Sequence, residues 1–360
     1  MATGIKINTV TLKAFSVFEN AELKFCTGVN VLIGTNATGK SHLMKAVYSM
    51  LKASEKSPWK TDNEALNYRV QLLAKLTKVF RPQDESVGRL VKRTVGRKSG
   101  SVHVGFTGGG KLTFSATTVG KLITARNGEV VTEAEPSLFI PSREVLSFHS
   151  SLIAAYESTN IRFDETYFDL AKALAAPTLL GTRARQAAQL VSGLEKVLGG
   201  KVFEAKDGSL HLRNKHGDFE PHLLSEGWRK LASLCRLILN GSLMENGFLF
   251  WDEPEANLNP EMIVMVAKML RLLAASGVQV FISTHDYLLT RHLSLAAEYP
   301  TQMAKAESCE IRFFGLTSLN GAVTVKSADT LSDLDDNPIL KEFAALYDYE
   351  GSLFEKSIAK

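Results

Sequence analysis

One short segment constrains this chain more than any other. Gly34-Thr35-Asn36-Ala37-Thr38-Gly39-Lys40-Ser41 fits the pattern G-x-x-x-x-G-K-[ST] at every fixed position. Val29-Asn30-Val31-Leu32-Ile33 before it reads as a short buried strand, and the residues from Ser41 to Leu51 after it read as a helix. Strand, glycine loop and helix form the arrangement that a triphosphate needs. The glycines let backbone N–H groups converge on the phosphates, and the helix N-terminus adds its positive end. Lys40 is placed to reach the β- and γ-phosphates, and the Ser41 hydroxyl to ligate Mg²⁺. The loop residues Gly34, Asn36, Thr38 and Gly39 complete the candidate cradle.

A second segment supplies carboxylates. Phe248-Leu249-Phe250-Trp251-Asp252-Glu253 is an apolar run that ends in two acids. A buried strand that ends this way places both at the carboxyl edge of a sheet, where α/β proteins bind ligands. Asp252 is the candidate Mg²⁺ ligand. Glu253 is the candidate base that orients and deprotonates water. A further strand, Val278 to Ile282, ends in Ser283-Thr284-His285. His285 is positioned to sense a γ-phosphate or the attacking water. Ser225-Glu226-Gly227 opens a helix, with Ser225 at or near the N-cap and Gly227 beside it, which makes this helix start a second candidate phosphate contact.

Composition narrows the class. The chain has 360 residues, 45% of them hydrophobic, and a net charge of only +4. Nucleic-acid contact would therefore come from a local patch. Arg89, Lys92, Arg93, Arg97 and Lys98 are the candidate, for DNA or for a protein partner. They lack interleaved aromatics, and a solvated hairpin arm is the alternative. Three scattered cysteines show no metal spacing and suit a reducing cytoplasm. No stretch approaches the ~18–20 apolar residues of a membrane span, so a cytoplasmic, membrane-free protein is expected. Asp333-Leu334-Asp335-Asp336 reads as a helix-capping loop.

The organisation expected is α/β. Residues 1–51 carry N-terminal antiparallel strands and the P-loop. Residues 52–137 hold an inserted arm with a helix over 68–80 and a hairpin around Gly108-Gly109-Gly110. Residues 138–222 form a helical subdomain with a hairpin turning at Asp207-Gly208. Residues 223–303 return to alternating strands and helices. Residues 304–360 add two strands and a helix over 338–347.

The order of these motifs resembles the ABC-type ATPases. The resemblance makes Ser225-Glu226-Gly227 the signature motif, Glu255-Ala256-Asn257-Leu258-Asn259-Pro260 the D-loop, Glu253 the catalytic base and His285 the switch histidine. The N-terminal strands with Phe15 and Phe18 resemble the SMC/RecF branch. The segment from Asp164 to Leu170, together with Ser225 to Lys230 and Asp252 to Asn257, is similar to the OLD-like ATPases of bacterial anti-phage operons. Two departures stand out. Glu226 and Trp228 replace the usual signature glycine and glutamine, and Ser16 stands where the SMC/RecF branch often has an arginine. No Q-loop glutamine is evident. The loop with Ser142, Arg143 and Glu144 takes its place, and Arg143 there is either a phosphate or partner contact or an ordinary surface cation.

The fold so implied is an ABC-type head with a mixed central sheet, an antiparallel β subdomain and a helical insertion. The function implied is ATP- and Mg²⁺-dependent hydrolysis in a head-to-tail homodimer or higher oligomer. That unit would act as sensor and scaffold for a separate nuclease or toxin in anti-phage defence. An SMC/RecF-like DNA-repair clamp is the alternative, and a transporter motor is the weakest reading.

Overall fold

Alternating burial along Ile7–Phe15 (β1) and Phe18–Lys24 (β2) produces an antiparallel pair with one face on a core. The computed structural model describes residues 4–55, 64–93, 95–119, 123–127, 136–159, 163–205, 210–319, 321–334 and 337–358. After β2 come β3 (Val29–Gly34), α1 (Lys40–Ser54), α2 (Glu64–Phe80), β4 (Ser99–Phe106), β5 (Lys111–Thr117), β6 (Ile123–Asn127) and β7 (Ser137–Ile140). A helical stretch follows, with α3 (His149–Ser158), α4 (Glu165–Ala175) and α5 (Gly181–Leu198). Then come β8 (Lys201–Glu204), β9 (Leu210–Asn214), β10 (Gly217–Phe219) and α6 (Glu226–Leu239). The chain continues with β11 (Phe248–Asp252), α7 (Pro260–Ala275), β12 (Gln279–Thr284), α8 (Tyr287–Glu298), β13 (Ile311–Leu319), β14 (Ala322–Ala328) and α9 (Pro338–Ile358).

The central sheet has the order β14-β13-β3-β12-β11-β7. All its neighbours are parallel except β13 and β14. Every residue of β3 and β12 is buried, as expected of strands covered on both faces. Side chains sort by parity. Val31, Ile33, Leu249, Trp251, Val280 and Ile282 join the core under the helical layer. Leu32, Phe250 and Phe281 join the other core, with α1 and the antiparallel sheet. Phe250 and Phe281 stack there at 4.8 Å.

The second sheet has the order β2-β1-β4-β5-β6. The hairpin expected around Gly108 to Gly110 is therefore not a separate arm: β4 pairs with β1, in register from Thr9↔Gly105 to Lys13↔Ser101. The hairpin of β8 and β9 also forms, although its expected turn at 207–208 lies outside the described residues. The C-terminal helix runs eleven residues beyond the expected end at Tyr347, to Ile358. A mid-helix glycine such as Gly351 costs only about 1 kcal/mol and need not end a helix. Asp333 accepts a hydrogen bond from Thr330 Oγ1 at 2.6 Å, and residues 335–336 of that acidic cluster lie outside the described set.

The segment from Asp164 to Leu170 has a structural job. Asp164 caps α4 by accepting from the Thr166 N–H and pairs with Lys45 of α1 at 2.6 Å. Lys75 of α2 lies between Glu165 at 3.0 Å and Asp169 at 2.8 Å, and Tyr48 of α1 donates to Asp169. One acidic helix turn thus ties the P-loop helix to the helical layer. The two carboxylates hold the Lys75 ammonium above its ordinary pKa despite its burial.

Candidate nucleotide site

Because β3, β12, β11 and β7 run parallel, their carboxyl ends share one edge, and the motifs meet there. Gly34 closes β3. A Cβ at this position would lie 2.5 Å from the Leu316 carbonyl oxygen of the adjacent strand, so only glycine fits. Gly39 has φ +88, and a Cβ there would meet Val17 Cγ2 at 2.6 Å. Thr38 is buried and ties the loop across itself by donating to the Thr35 carbonyl at 2.9 Å. The loop is thus held in shape by its own contacts. Asn36 is exposed on it.

Lys40 is buried, and its ammonium donates to the Gly34 and Thr35 carbonyls at 2.7 and 3.0 Å. Burial pushes its pKa down, while Asp252, Glu253 and Glu255 pull in the opposite direction. Asp252 lies in register with Ser283 of β12. Its Oδ1 accepts from Ser41 Oγ at 2.9 Å and, over a short contact, from Ser283 Oγ. A P-loop hydroxyl converging on one carboxylate is the hard-oxygen pair that Mg²⁺ uses when phosphates and water complete its shell. Among the described residues no cluster of three or more His, Cys, Asp or Glu side chains could hold a metal without such outside ligands.

Glu253 has a φ of +46, a left-handed conformation that is uncommon for a side-chain-bearing residue. Its N–H is held by the Ser283 carbonyl at 2.9 Å. The twist brings its carboxylate to 3.6 Å from His285 Nδ1, with Glu255 at 3.8 Å from the same nitrogen. His285 is 52% exposed and Glu253 34%, so this pair is open to a ligand, whereas Glu255 at 6% is not. Strain of this kind, about 1–3 kcal/mol per residue, persists where surrounding structure holds it, and often at functional sites.

Glu255, noted in the sequence only as the start of the D-loop, is the least expected member. Its Oε1 accepts from Thr284 Oγ1 at 2.7 Å and from the His285 N–H at 3.2 Å. Its Oε2 is buried with no hydrogen-bond partner. Burial pushes its pKa above the ordinary carboxylate value. A proton is thus bound more tightly in the folded chain than in the unfolded one, so the ionised side chain lowers stability above the folded pKa and the penalty vanishes as pH falls to the unfolded value. Glu255→Gln should therefore melt higher than the parent at pH 8, and the gap should shrink towards pH 5. Calorimetric melts at the two pH values check this; an equal gap at both would remove the ionisation argument.

Ser225 occupies the N-cap position of α6, but its hydroxyl caps none of that helix's own amides. Gly227 allows α6 to approach α7: a Cβ there would meet Met262 Sδ at 2.4 Å were the neighbour not to move. Lys230, missed in the sequence, is buried and donates to the Ala256 carbonyl at 2.6 Å, and Asn257 donates to Glu226 at 3.0 Å. Hydrogen bonds from 226–230 run to neighbouring loops, and among the described residues none reaches 34–41. The P-loop, Asp252, Glu253 and His285 are brought together in one chain, and Ser225 with Gly227 belongs to a neighbouring surface built on the loop of 255–259.

Arg143 lines a cavity of about 440 Å³ with Glu144, Tyr167, Glu226, Arg229 and Asn257. Glu144 is buried and pairs with Arg229 at 3.0 Å, leaving Arg143 on the exposed side. Of the basic run, Lys92 and Lys98 lie 3.3 and 3.7 Å from Glu19, and Arg89 donates to Gln83. Arg93 and Arg97 are exposed.

A family model described as "AAA domain, putative AbiEii toxin, Type IV TA system" matches residues 106–291, more than half of the chain. The chain belongs to this AAA-domain family. A second model, "AAA ATPase domain", matches residues 5–172. This AAA-domain chain is 43% identical over 49 residues to the DNA replication and repair protein RecF of Macrococcus caseolyticus, which is 14% of the chain and 13% of that protein. It is 24% identical over 183 residues to the arginine transport ATP-binding protein ArtM of Bacillus subtilis, 51% of the chain and 68% of ArtM. The chain thus spans a small part of RecF and about two thirds of ArtM. A solved Smc head bound to the C-winged helix domain of ScpA matches with TM-score 0.55 and 13% identity, over 90% of this chain and 98% of that one. A Pyrococcus furiosus Smc head with an extended coiled coil, bound to the C-terminal domain of ScpA, matches with TM-score 0.51 and 12% identity, over 94% and 100%. These likenesses establish the expected α/β P-loop head with its mixed and antiparallel sheets. Among the described residues no helix is long and apolar enough to cross a membrane.

Proposed function

We propose that this protein binds and hydrolyses ATP with Mg²⁺ and uses the cycle as a switch. The observation that carries the reading is the meeting of Ser41, Asp252, Glu253 and His285 at one sheet edge beside Lys40. In this reading Lys40 leaves the loop carbonyls for the β- and γ-phosphates. Ser41 and Asp252 would hold Mg²⁺, which would supply positive charge against the phosphates. Glu253 accepts a proton from the attacking water, and His285 steadies the γ-phosphate end.

Ser225 and Gly227 face a second copy in the proposed cycle. A free hydroxyl at a helix N-terminus is a ready anion contact, and the chain's own P-loop receives none of the contacts described for 226–230. Two copies arranged head-to-tail would each offer Ser225 to the partner's nucleotide. The pair is self-complementary and closes on itself. The closed state gains contacts that the open state lacks, so ATP shifts the equilibrium towards it.

The output we propose is control of a separate effector, a nuclease or toxin, in anti-phage defence. The OLD-like segments and the toxin-system description of the matched family support it. An SMC/RecF-like DNA clamp is supported to the same degree, by the Smc-head likeness and by the exposed Arg93 and Arg97. One experiment addresses both levels. The solution mass of the full chain, with and without ATP–Mg²⁺, should double on ATP, and Ser225→Arg should abolish the doubling while nucleotide still binds. A constant monomer would sink the switch. A closed form that retains DNA rather than a co-expressed neighbouring protein would decide for the clamp.

A further inference from the structure

The sheet edge that carries the site is short of positive charge. Asp252, Glu253 and Glu255 all act on Lys40, the lysine of the loop of 34–41. A triphosphate with a single Mg²⁺ is itself negative, so its terminal phosphate calls for a further cation. The neighbouring cations are already engaged. Lys45 pairs with Asp164 at 2.6 Å, and Lys75 with Asp169 at 2.8 Å. Lys230 donates to the Ala256 carbonyl at 2.6 Å, and Arg229 pairs with Glu144 at 3.0 Å.

Arg143 is not engaged. Its side chain is exposed, and among the described residues it makes no hydrogen bond or ion pair. The two acids that line its cavity are taken, Glu144 by Arg229 and Glu226 by Asn257 at 3.0 Å. Its place follows from the sheet. β7 runs parallel to β11 with Ile140 opposite Trp251. Neighbouring strands lie about 4.8 Å apart, so residues 141–143 leave the edge beside Asp252 and Glu253. The Tyr167 phenol senses both sides: burial raises its pKa, Ser142 and Arg143 oppose the rise, and Asp164 and Asp252 add to it. The cavity of about 440 Å³ gives the guanidinium room to turn, and its walls Phe148, Phe163 and Tyr167 are aromatic.

We infer that Arg143 is a further catalytic residue of the ATPase site. Its guanidinium binds the γ-phosphate of the nucleotide held on the same chain's P-loop, most tightly in the transition state. The inference rests on the ATPase reading above. A bond forms from water to the γ-phosphorus, and the bond from that phosphorus to the β–γ bridging oxygen breaks. One water proton passes to Glu253, and negative charge spreads over the γ-phosphoryl oxygens and the departing ADP. Lys40 answers that charge from the loop, and Arg143 answers it from the end of β7.

The test sets substrate binding against transition-state binding in the full chain. Arg143→Ala should bind ATPγS with a Kd within about threefold of the parent's. Single-turnover hydrolysis of ATP–Mg²⁺ and affinity for ADP–aluminium fluoride should both fall about 10²–10³-fold, the usual effect of losing one charge-stabilising donor. Hydrolysis at the parental rate in Arg143→Ala would overturn the proposal. So would an intact affinity for ADP–aluminium fluoride, or a loss of ATPγS affinity as large as the loss for the analogue, which describes a ground-state tether. Hydrolysis restored by mixing Arg143→Ala with Lys40→Met chains would also overturn it, because the arginine would then serve the partner's nucleotide. The two failures are separable. A parent that hydrolyses ATP and is indifferent to Arg143→Ala leaves the ATPase reading standing, and a parent that hydrolyses none removes both.

Discussion

Glu253→Gln should slow ATP hydrolysis about 10²–10⁴-fold, the usual contribution of a positioned general base, and should leave nucleotide binding intact. The two side chains have nearly the same size, so the left-handed backbone at 253 and its N–H bond to the Ser283 carbonyl are retained. What is lost is the ability to take a proton. The cradle itself does not involve residue 253: it is made by Gly34, Thr38, Gly39, Lys40, Ser41 and Asp252. The variant should therefore collect in the ATP-bound, closed form, with a rise in solution mass that outlasts the parent's. Measured together, single-turnover phosphate release and sedimentation decide the point. Release at the parental rate would move the base elsewhere, and Glu255 could not replace it without moving, because it is buried under His285.

Much of this arrangement could be read from local sequence patterns. The P-loop, the acid-ended strand and the histidine-ended strand are contiguous segments, and an all-apolar strand between glycines or acids has few other fates in an α/β sheet. The positions of β3, β11 and β12 followed from them. Less accessible was anything created by strands becoming neighbours. Ser283 gave no sign of sharing Asp252 with Ser41 until β11 and β12 lay in register. The burial of Glu255 and Lys230 depends on how α6 and α7 close over the loop of 255–259. Lys230 has one local trace, a lysine on the apolar side of a helix that buries Leu231, Leu234 and Leu237. The strained φ of Glu253 has no local trace, since nothing in Trp-Asp-Glu-Pro demands it. The hairpin of β4 and β5 was legible as a hairpin, but its union with β1 is a long-range pairing that alternation alone cannot specify.

Lys40→Met should separate function from stability. In the folded chain the Lys40 ammonium is buried, and burial outweighs Asp252, Glu253 and Glu255 in setting its pKa, which falls below the ordinary lysine value. A lysine that binds its proton less tightly when folded makes the charged form a liability below the folded pKa, and that liability is relieved as pH rises through it. At neutral pH the methionine variant should accordingly melt no lower than the parent in the absence of nucleotide. The Gly34 and Thr35 carbonyls lose a donor; Thr35 is exposed and water can replace it there, and the cost is confined to the Gly34 carbonyl at the buried end of β3. Nucleotide binding should respond in the opposite direction. Removing a buried, hydrogen-bonded cation from a phosphate costs about 3 kcal/mol, or roughly 10²-fold in Kd. Stabilisation by ligand follows RT ln(1 + [L]/Kd), so at an ATP concentration about tenfold above the parent's Kd the rise in Tm that ATP–Mg²⁺ gives the parent should almost vanish. Thermal melts with and without ATP–Mg²⁺ test both halves at once. A variant that melts far below the parent without nucleotide would show that Lys40 is held for structure. One that keeps the full ATP-induced shift would show that the nucleotide binds elsewhere than the loop of 34–41.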